Sequence, residues 1–356
     1  MKILIMAVAV LATLKVTAVQ WTLDGNTLTS DNGWTLTLAD PKIDYSGADE
    51  KRISAAAMSD GSDGILDLSE VEAQTGIKIV EIYRNVFGAS QVASVQCPGI
   101  TAVVFPGSLV QIGNHAFANC TKLRSISAFP ESFKTLTYAF QNCTALESAV
   151  DFSACVDMRV IGINAFQGCE LVPQVVLPPA VTNFAANCFR DCTNVSAVVA
   201  TPVSGALKRF MKEADGFVDY WAFGVNAPRD GALKTVEIPW GGTTVFGKNA
   251  SASNGQYRQF GKQPLSSIRF FGKAPQGNEP FLEASAANYT VSIVCSKRQD
   301  ESGWRGLAED IPSGRTPPDG AFGIWNVGSG TPGVTTQWLV WGSSPFDAAG
   351  LMLLVR

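Results

Sequence analysis

The sequence has few of the residues on which catalysis and nucleic-acid binding most often depend. Of its 356 residues only one, His115, is a histidine, and charged residues make up 16%. A catalytic triad or a Cys–His dyad would need His115 as its base, and no nucleophile stands at a distinctive position beside it. The 27 basic residues are outnumbered by 31 acidic ones and form no cluster, which argues against nucleic acid as a partner.

Phosphate-binding and dinucleotide-binding glycine motifs are also missing. Asp and Glu residues are present, but their spacing does not show whether two carboxylates converge as they do in a glycosidase. We therefore predict a protein that is not an enzyme and holds no cofactor or metal ion. A glycan-active protein remains the alternative.

The sequence lacks an apolar run of about 20 residues, the length that a membrane-spanning helix needs. The longest run near the start, Ile3–Leu14, follows Lys2 and precedes the small residues up to Ala18. This pattern predicts a signal peptide over residues 1–18, with a buried N-terminal strand as the alternative. No cysteine precedes Cys97, so no lipid-modified cysteine is available at the cleavage site. We expect a secreted or cell-surface chain with no membrane span after signal removal.

One phrase, which contains Ala-Phe and ends in Cys, occurs in four versions between residues 100 and 200. Its Phe residues stand at 117, 140, 166 and 189 and its Cys residues at 120, 143, 169 and 192, so both sets advance by 23, 26 and 23 residues. A period in the low twenties is typical of solenoids of the leucine-rich-repeat class. The four versions are Gly113–Cys120, Thr137–Cys143, Gly162–Cys169 and Ala186–Cys192.

A strand phrase ending in Pro precedes most of these versions, as in Val103-Val-Phe-Pro106 and Val175-Val-Leu-Pro178. A turn with Val or Ile follows, as in Val110–Gly113, and we expect the Ala-Phe-x-x-Cys phrase to form a short helical turn. This order resembles the BspA-type leucine-rich-repeat family, whose repeat runs roughly Leu-x-x-Ile-x-Ile-Pro … Ile-Gly-x-x-Ala-Phe-x-x-Cys. The resemblance implies an α/β solenoid, a right-handed array with short parallel strands on one face. It also implies adhesion to matrix proteins, other cells or surface polymers.

The rest of the chain divides around this array. Residues 19–75 are predicted as an N-terminal β cap, 76–200 as the array, 201–312 as degenerate repeats and 313–356 as a linker with a closing β segment. In the degenerate part Phe246 follows Phe223 by 23 residues and is predicted as the next anchor. We expect the closing segment to pair Trp338–Trp341 with Leu351–Val355.

Two features of the cap have alternative interpretations. Trp21 and Trp34 lie on predicted strands, where tryptophans are usually core residues, although a carbohydrate-binding role is the alternative. The segment Ser59–Gly64 resembles a calcium loop in composition but lacks the closing Glu. We predict an ordinary surface loop there.

Eight cysteines in an exported chain suggest disulfides, and strands about 4.8 Å apart come close to disulfide spacing. Cys120, Cys143, Cys169 and Cys192 nevertheless share one repeat position, which favours a ladder of buried, reduced thiols. Cys188 lies four residues before Cys192, without the further Cys and His residues that a zinc site would need.

The regular strands should form a parallel sheet along the array. In each strand the residue between two inward apolar positions faces outward, and stacking places these residues in a row. We predict that this row binds an extracellular protein or polysaccharide, as expected of a non-catalytic recognition or adhesion protein. An enzyme accessory or a structural envelope component are the alternatives. The predicted binding residues are Val104, Ala128, Asp151, Val176, Glu237 and Arg269.

Overall fold

The computed structural model consists mainly of short β-strands. It describes residues 18–42, 47, 49–91, 94–226, 230–247, 260, 263–276, 290–311, 313–314, 316–324, 336–342 and 344–346. All of the predicted signal peptide except Ala18, and the predicted strand Leu351–Val355, lie outside these described residues.

The first four strands form an antiparallel meander. In the third strand Trp34, Leu36 and Leu38 are buried while the two intervening threonines are exposed, which is the period of two that a half-buried strand requires. The meander contains β1 (Trp21–Asp24), β2 (Thr27–Ser30), β3 (Trp34–Ala39) and β4 (Glu50–Met58).

The two tryptophans of the meander belong to the core. Trp21 is 5% and Trp34 1% exposed, and their indole N–H groups donate to the backbone carbonyls of Asp67 and Ile65. The carbohydrate-binding alternative is therefore wrong for these two residues, because neither ring can reach a ligand.

After the meander the chain runs alternately through two series of parallel strands. The first series contains β5 (Ile65–Asp67), β7 (Ala102–Val104), β9 (Ser125–Ile126), β11 (Val150–Asp151), β13 (Gln174–Val176), β15 (Ala197–Val199), β17 (Thr235–Ile238), β19 (Ser267–Phe270), β20 (Thr290–Ser296) and β22 (Thr336–Gly342). The second contains β6 (Lys78–Ile82), β8 (Gln111–Ile112), β10 (Thr135–Leu136), β12 (Val160–Ile161), β14 (Asn183–Phe184), β16 (Gly216–Val218) and β18 (Thr244–Phe246).

The sheets follow repeat order. In the first series β5-β7-β9 form one sheet, and β11-β13-β15-β17-β19-β20-β22 form another, to which β21 (Ala321–Ile324) adds antiparallel. In the second series β6-β8-β10 continue the meander through β4, and β12-β14-β16-β18 form a separate sheet. The long sheet thus extends to Gly342, beyond the predicted end of the degenerate repeats at residue 312.

The structure confirms the solenoid fold class and corrects two of its details. The predicted turn with Val or Ile is a strand of the second series, so parallel strands line two faces of the array and not one. Between residues 76 and 204 the described part of the chain contains no α-helix, and the Ala-Phe-x-x-Cys phrases are successive turns. The described residues form three α-helices, α1 (Val71–Thr75), α2 (Gly205–Glu213) and α3 (Lys297–Gly306).

Each of these turns, like the related turns around Phe87 and Phe223, has a residue with left-handed backbone before its Phe, and the four Ala-Phe-x-x-Cys turns have a second one. One stands before the Ala-Phe pair or its equivalent and the other before the Cys, where φ is 59–61° for Asn119, Asn142 and Asp191 and 76° for Gly168. Asn, Asp and Gly adopt this conformation more readily than other residues. The residues at the first position are Asn85, His115, Tyr138, Asn164, Asn187 and Trp221.

A column of Phe rings forms the centre of the solenoid. Neighbouring rings have centroids 4.9–5.7 Å apart and planes within 8° of parallel, a spacing that offset aromatic stacking favours. Hydrogen bonds reinforce the column, since the backbone N–H of each Phe from Phe87 to Phe189 donates to the next repeat. The rings belong to Phe87, Phe117, Phe140, Phe166, Phe189, Phe223 and Phe260.

The column corrects the prediction for the degenerate repeats. Phe260, and not Phe246, stacks on Phe223, with a centroid distance of 5.7 Å and an interplanar angle of 2°. Phe246 is instead a buried residue of β18 in the second series. The chain between Phe223 and Phe260 is longer than one repeat, so regular spacing in sequence leads to the wrong ring.

The cysteine ladder runs beside the Phe column. The thiols of Cys143, Cys169 and Cys192 each donate to a Phe carbonyl of the preceding repeat, at 3.1 Å from sulfur to oxygen. All eight cysteines are buried free thiols. Burial raises the pKa of Cys97 to about 11 and that of Cys155 to about 12, and it raises the pKa of Cys169 well above its ordinary value.

Replacing a ring in the middle of the column should destabilise the whole array. Phe166 is fully buried and stacks on rings from two neighbouring repeats, so Phe166→Ala should cost about 3–5 kcal/mol. Leu171→Ala is the control, because Leu171 is 46% exposed and surface changes usually stay within about 0.5 kcal/mol. Urea unfolding of both variants measures the effect, and equal midpoints would contradict the stacked core.

The thiols should make stability fall in alkali. A thiol with a raised pKa stays protonated in the folded chain, while the same thiol in the unfolded chain ionises from about pH 8.5 upward. The contribution of the buried thiol to folding stability is therefore complete below that pH and decreases above it. For Cys169, the loss should be about 1.4 kcal/mol per pH unit. Chemical unfolding at pH 8, 9 and 10 measures the free energy of unfolding. This free energy should decrease less steeply with pH for Cys169→Ala than for the wild type.

Thiol counting tests the reduced state directly. In denaturant without a reductant, an alkylating reagent should label all eight cysteines, whereas the folded chain should resist labelling because every thiol is buried. If Cys120, Cys143, Cys169 and Cys192 cannot be labelled until a reductant is added, the reduced ladder is wrong.

Candidate binding surface

The long first-series sheet brings one outward residue of each strand into a continuous line. In β13 Val176 stands between buried Val175 and Leu177, and the same alternation recurs along the sheet. The strand register pairs neighbouring members of this line from Asp151 onward, and it places Val199 beside Glu237 because Val198 pairs with Val236. We call this line the outer row; it consists of Asp151, Val176, Val199, Glu237, Arg269, Val294 and Val340.

Four of the six residues predicted from the sequence lie in the outer row. Asp151 pairs directly with Val176, and Glu237 pairs with Arg269. The strands that carry them keep the same register although β17 and β19 belong to the irregular part of the chain. The structure therefore brings these four residues onto one sheet face, as expected.

The other two predicted residues lie elsewhere. Val104 belongs to the separate sheet β5-β7-β9, where it pairs with Asp67. Ala128 is exposed but follows the end of β9, because two residues and not one separate buried Ile126 from buried Phe129. The additional residue acts like a β-bulge and takes Ala128 out of register, at the point where the first series divides into two sheets.

Three residues of the outer row were missed in the sequence analysis. Val199 had a clear signal, since Ala197-Val-Val199 repeats the phrase Gln174-Val-Val176 one repeat later. Val294 and Val340 had a weaker one, because 46 residues separate them in the sequence although their strands are neighbours. Spacing alone does not predict that pairing.

The outer row has a pair of valines on each side of a pair of charged residues. Val176 and Val199 form one neighbouring pair and Val294 and Val340 another, while Glu237 and Arg269 stand in the middle. The Glu237 side chain is held in place because its Oε2 accepts a hydrogen bond from the backbone N–H of Ala200 at 2.9 Å. At about 4.8 Å per strand the row is about 29 Å long.

A second outward line runs beside the outer row and keeps this face flat. Its residues are mostly small, and they pair with one another across the same strands. A flat, extended face exposes its neighbouring valines to a long partner and offers no enclosed cleft for a small molecule. The line consists of Gln174, Ala197, Thr235, Ser267 and Ser292.

The single histidine of the sequence, His115, lies in a turn of the array. It occupies the left-handed position of its turn, and its ring centroid lies 4.9 Å from that of Tyr138. Partial burial lowers the pKa of His115. Within the described ranges no three His, Cys, Asp or Glu side chains are grouped to hold a metal ion.

The helices are short. Over the described residues, none is long and apolar enough to pass through a bilayer.

Comparison with known proteins identifies the repeat. Residues 81–204 match the model of the BspA type leucine rich repeat region in six copies. A comparison with curated proteins finds no match.

Solved structures similar to this chain include three bacterial leucine-rich-repeat proteins. The protein from T. pallidum (TpLRR) is 22% identical, with a TM-score of 0.40, and the match covers 59% of this chain and 83% of that chain. A protein from Bacteroides ovatus is 18% identical, with a TM-score of 0.43, and the match covers 74% of this chain and 65% of that chain. A leucine rich cell surface protein from Faecalibacterium prausnitzii is 16% identical, with a TM-score of 0.42, and the match covers 79% of this chain and 89% of that chain.

The matched segment, residues 81–204, contains the regular repeats of the structure. Each regular repeat contributes a first-series strand, a second-series strand and a turn with two left-handed residues around a stacked Phe. Over residues 81–204 the chain is similar to the BspA type leucine rich repeat region.

Proposed function

We propose that this chain is a non-catalytic recognition protein, secreted or held at the cell surface, that binds an extended segment of an extracellular protein. The observation that carries the proposal is the outer row, which presents two valine pairs around Glu237 and Arg269 in strict strand register. Adhesion through this face is its biological role.

The chemistry of the outer row supports a protein partner. Protein interfaces combine apolar contact area with a few charged residues, and the charges determine orientation more than affinity. The fixed carboxylate of Glu237 suits that role because binding need not immobilise it again. Similarity to the BspA-type family supports recognition too, since leucine-rich-repeat proteins are generally non-catalytic and those of this type are typically secreted or on the surface.

Two other functions would be recognised by different results. A glycan-active protein would release reducing sugar from a polysaccharide and would lose that turnover when one carboxylate pair is mutated. A structural envelope component would remain with the cell envelope and show no saturable binding to soluble extracellular proteins.

Substitutions in the outer row should weaken partner binding. A pull-down with the mature chain identifies extracellular partners, and Val176→Asp and Val199→Asp should then each raise the dissociation constant at least tenfold, as loss of a buried interface contact does. Val160→Asp is the matched control, because Val160 is an exposed valine of the second series. Surface binding measurements decide the matter: an unchanged affinity in both outer-row variants would overturn the assignment.

A further inference from the structure

A second surface follows the left-handed turns, away from the outer row. Each turn places one side chain at the position before the Ala-Phe pair and another directly after the Phe. From the second to the fifth turn of the regular array most of these side chains are amides or aromatic rings, and all are partly exposed. We call this surface the turn strip; it consists of Tyr138, Gln141, Asn164, Gln167, Asn187, Arg190 and Trp221.

Hydrogen bonds join the polar residues of the turn strip into one network. Gln141 Nε2 donates to Gln167 Oε1 at 3.0 Å, and Asn164 Nδ2 donates to the same oxygen. Asn187 Nδ2 donates to Asn164 Oδ1 at 3.3 Å. The network therefore crosses three repeats and fixes the amide side chains before any ligand arrives.

Aromatic rings stand at both ends of the turn strip. At one end Tyr138 lies against His115, with ring centroids 4.9 Å apart. At the other end the Arg190 guanidinium lies 4.6 Å from the centre of the Trp221 ring, and its Nη2 donates to Asn226 at 2.9 Å. Arg190 is also paired with the Asp191 carboxylate at 3.5 Å, so this end carries little net charge.

The amides retain hydrogen-bonding capacity that the network does not use. A primary amide has two N–H donors and a carbonyl oxygen with two lone pairs. Within the described part of the chain, Gln167 Nε2 donates no hydrogen bond and Gln141 Oε1 accepts none. The strip therefore presents donors and acceptors side by side on prearranged groups, which lowers the entropic cost of binding.

From this geometry we propose that the turn strip binds a neutral oligosaccharide. Sugar hydroxyls donate and accept hydrogen bonds, as the amides do, and the apolar C–H faces of a sugar pack on aromatic rings. Neighbouring repeats are 5.1–5.6 Å apart at the Phe column beside the strip, so a chain of a few sugar units can contact Tyr138 and Trp221 together.

The chemistry of the strip disfavours other ligand classes. An anionic ligand would need a cation that is not already paired, whereas Arg190 is paired with Asp191. A protein partner would need apolar anchor residues near the centre of the interface, and the middle of the strip consists of amides. This site lies beyond the protein-binding function proposed for the outer row and does not depend on it.

Calorimetric titration of the full mature chain with neutral hexasaccharides of glucose, mannose, xylose and galactose tests the proposal. At least one should bind, and Gln141→Ala/Gln167→Ala should raise its dissociation constant at least tenfold. Asn164→Gly, which preserves the left-handed turn, should also weaken binding. Asn194→Ala is the matched control, since Asn194 is an exposed amide bonded to the Leu171 carbonyl off the strip.

Three results would overturn the proposal: no hexasaccharide binds, only a sulfated oligosaccharide binds, or the double variant binds as tightly as the wild type. Unchanged urea midpoints in the variants show that they fold. Val176→Asp should leave sugar binding intact, and Gln141→Ala/Gln167→Ala should leave protein binding intact. These two results distinguish failure of the sugar-binding proposal for the turn strip from failure of the protein-binding proposal for the outer row.

Discussion

Stacking of one Phe ring on the next is the interaction on which the rest of this structure depends. A single repeat of 23 residues has one strand of each series and cannot bury its own apolar side chains. Once stacked, each ring from Phe117 to Phe223 contacts a ring on both sides, and the core becomes continuous. Stability is then shared between neighbours, as it is in other solenoids.

The same stacking determines what reaches the surface. Left-handed residues such as Asn119 and Asn142 turn the chain so that Phe and Cys point inward, and they leave the position before Ala-Phe at the edge. The first-series strands, aligned by the column, place Asp151, Val176 and Val199 on a separate face. Two surfaces with different chemistry thus follow from one repeat, one apolar and charged and the other rich in amides.

The regular part of the fold could be predicted from the sequence because its Phe and Cys residues recur with the same spacing. The spacing of Phe117, Phe140 and Phe166 equals that of the cysteines that follow them. This common period places Asp151 and Val176 at equivalent positions of their repeats, on the outward face. The second series could not be recognised, because a strand such as Gln111–Ile112 has only two residues and shows no alternation. Sequence spacing also failed wherever residues are inserted: one additional residue displaced Ala128, and a longer connection hid Phe260.

The turn strip was missed for a different reason. Tyr138, Asn164 and Trp221 differ in type, and the position looks variable when copies are aligned by eye. What they share is a backbone conformation, which only the structure shows. Their amide and aromatic chemistry becomes visible as a pattern once the repeats are stacked and the side chains become neighbours.

Native-state hydrogen exchange at the Phe amides tests the stacked core most directly. The backbone N–H groups of Phe117, Phe140, Phe166 and Phe189 each donate to the following repeat, so they should exchange slowly and at similar rates, since they open only when neighbouring repeats separate. Exchange at these amides as fast as at the exposed loop around Asp60 would contradict the account, because the rings could then not form a continuous column.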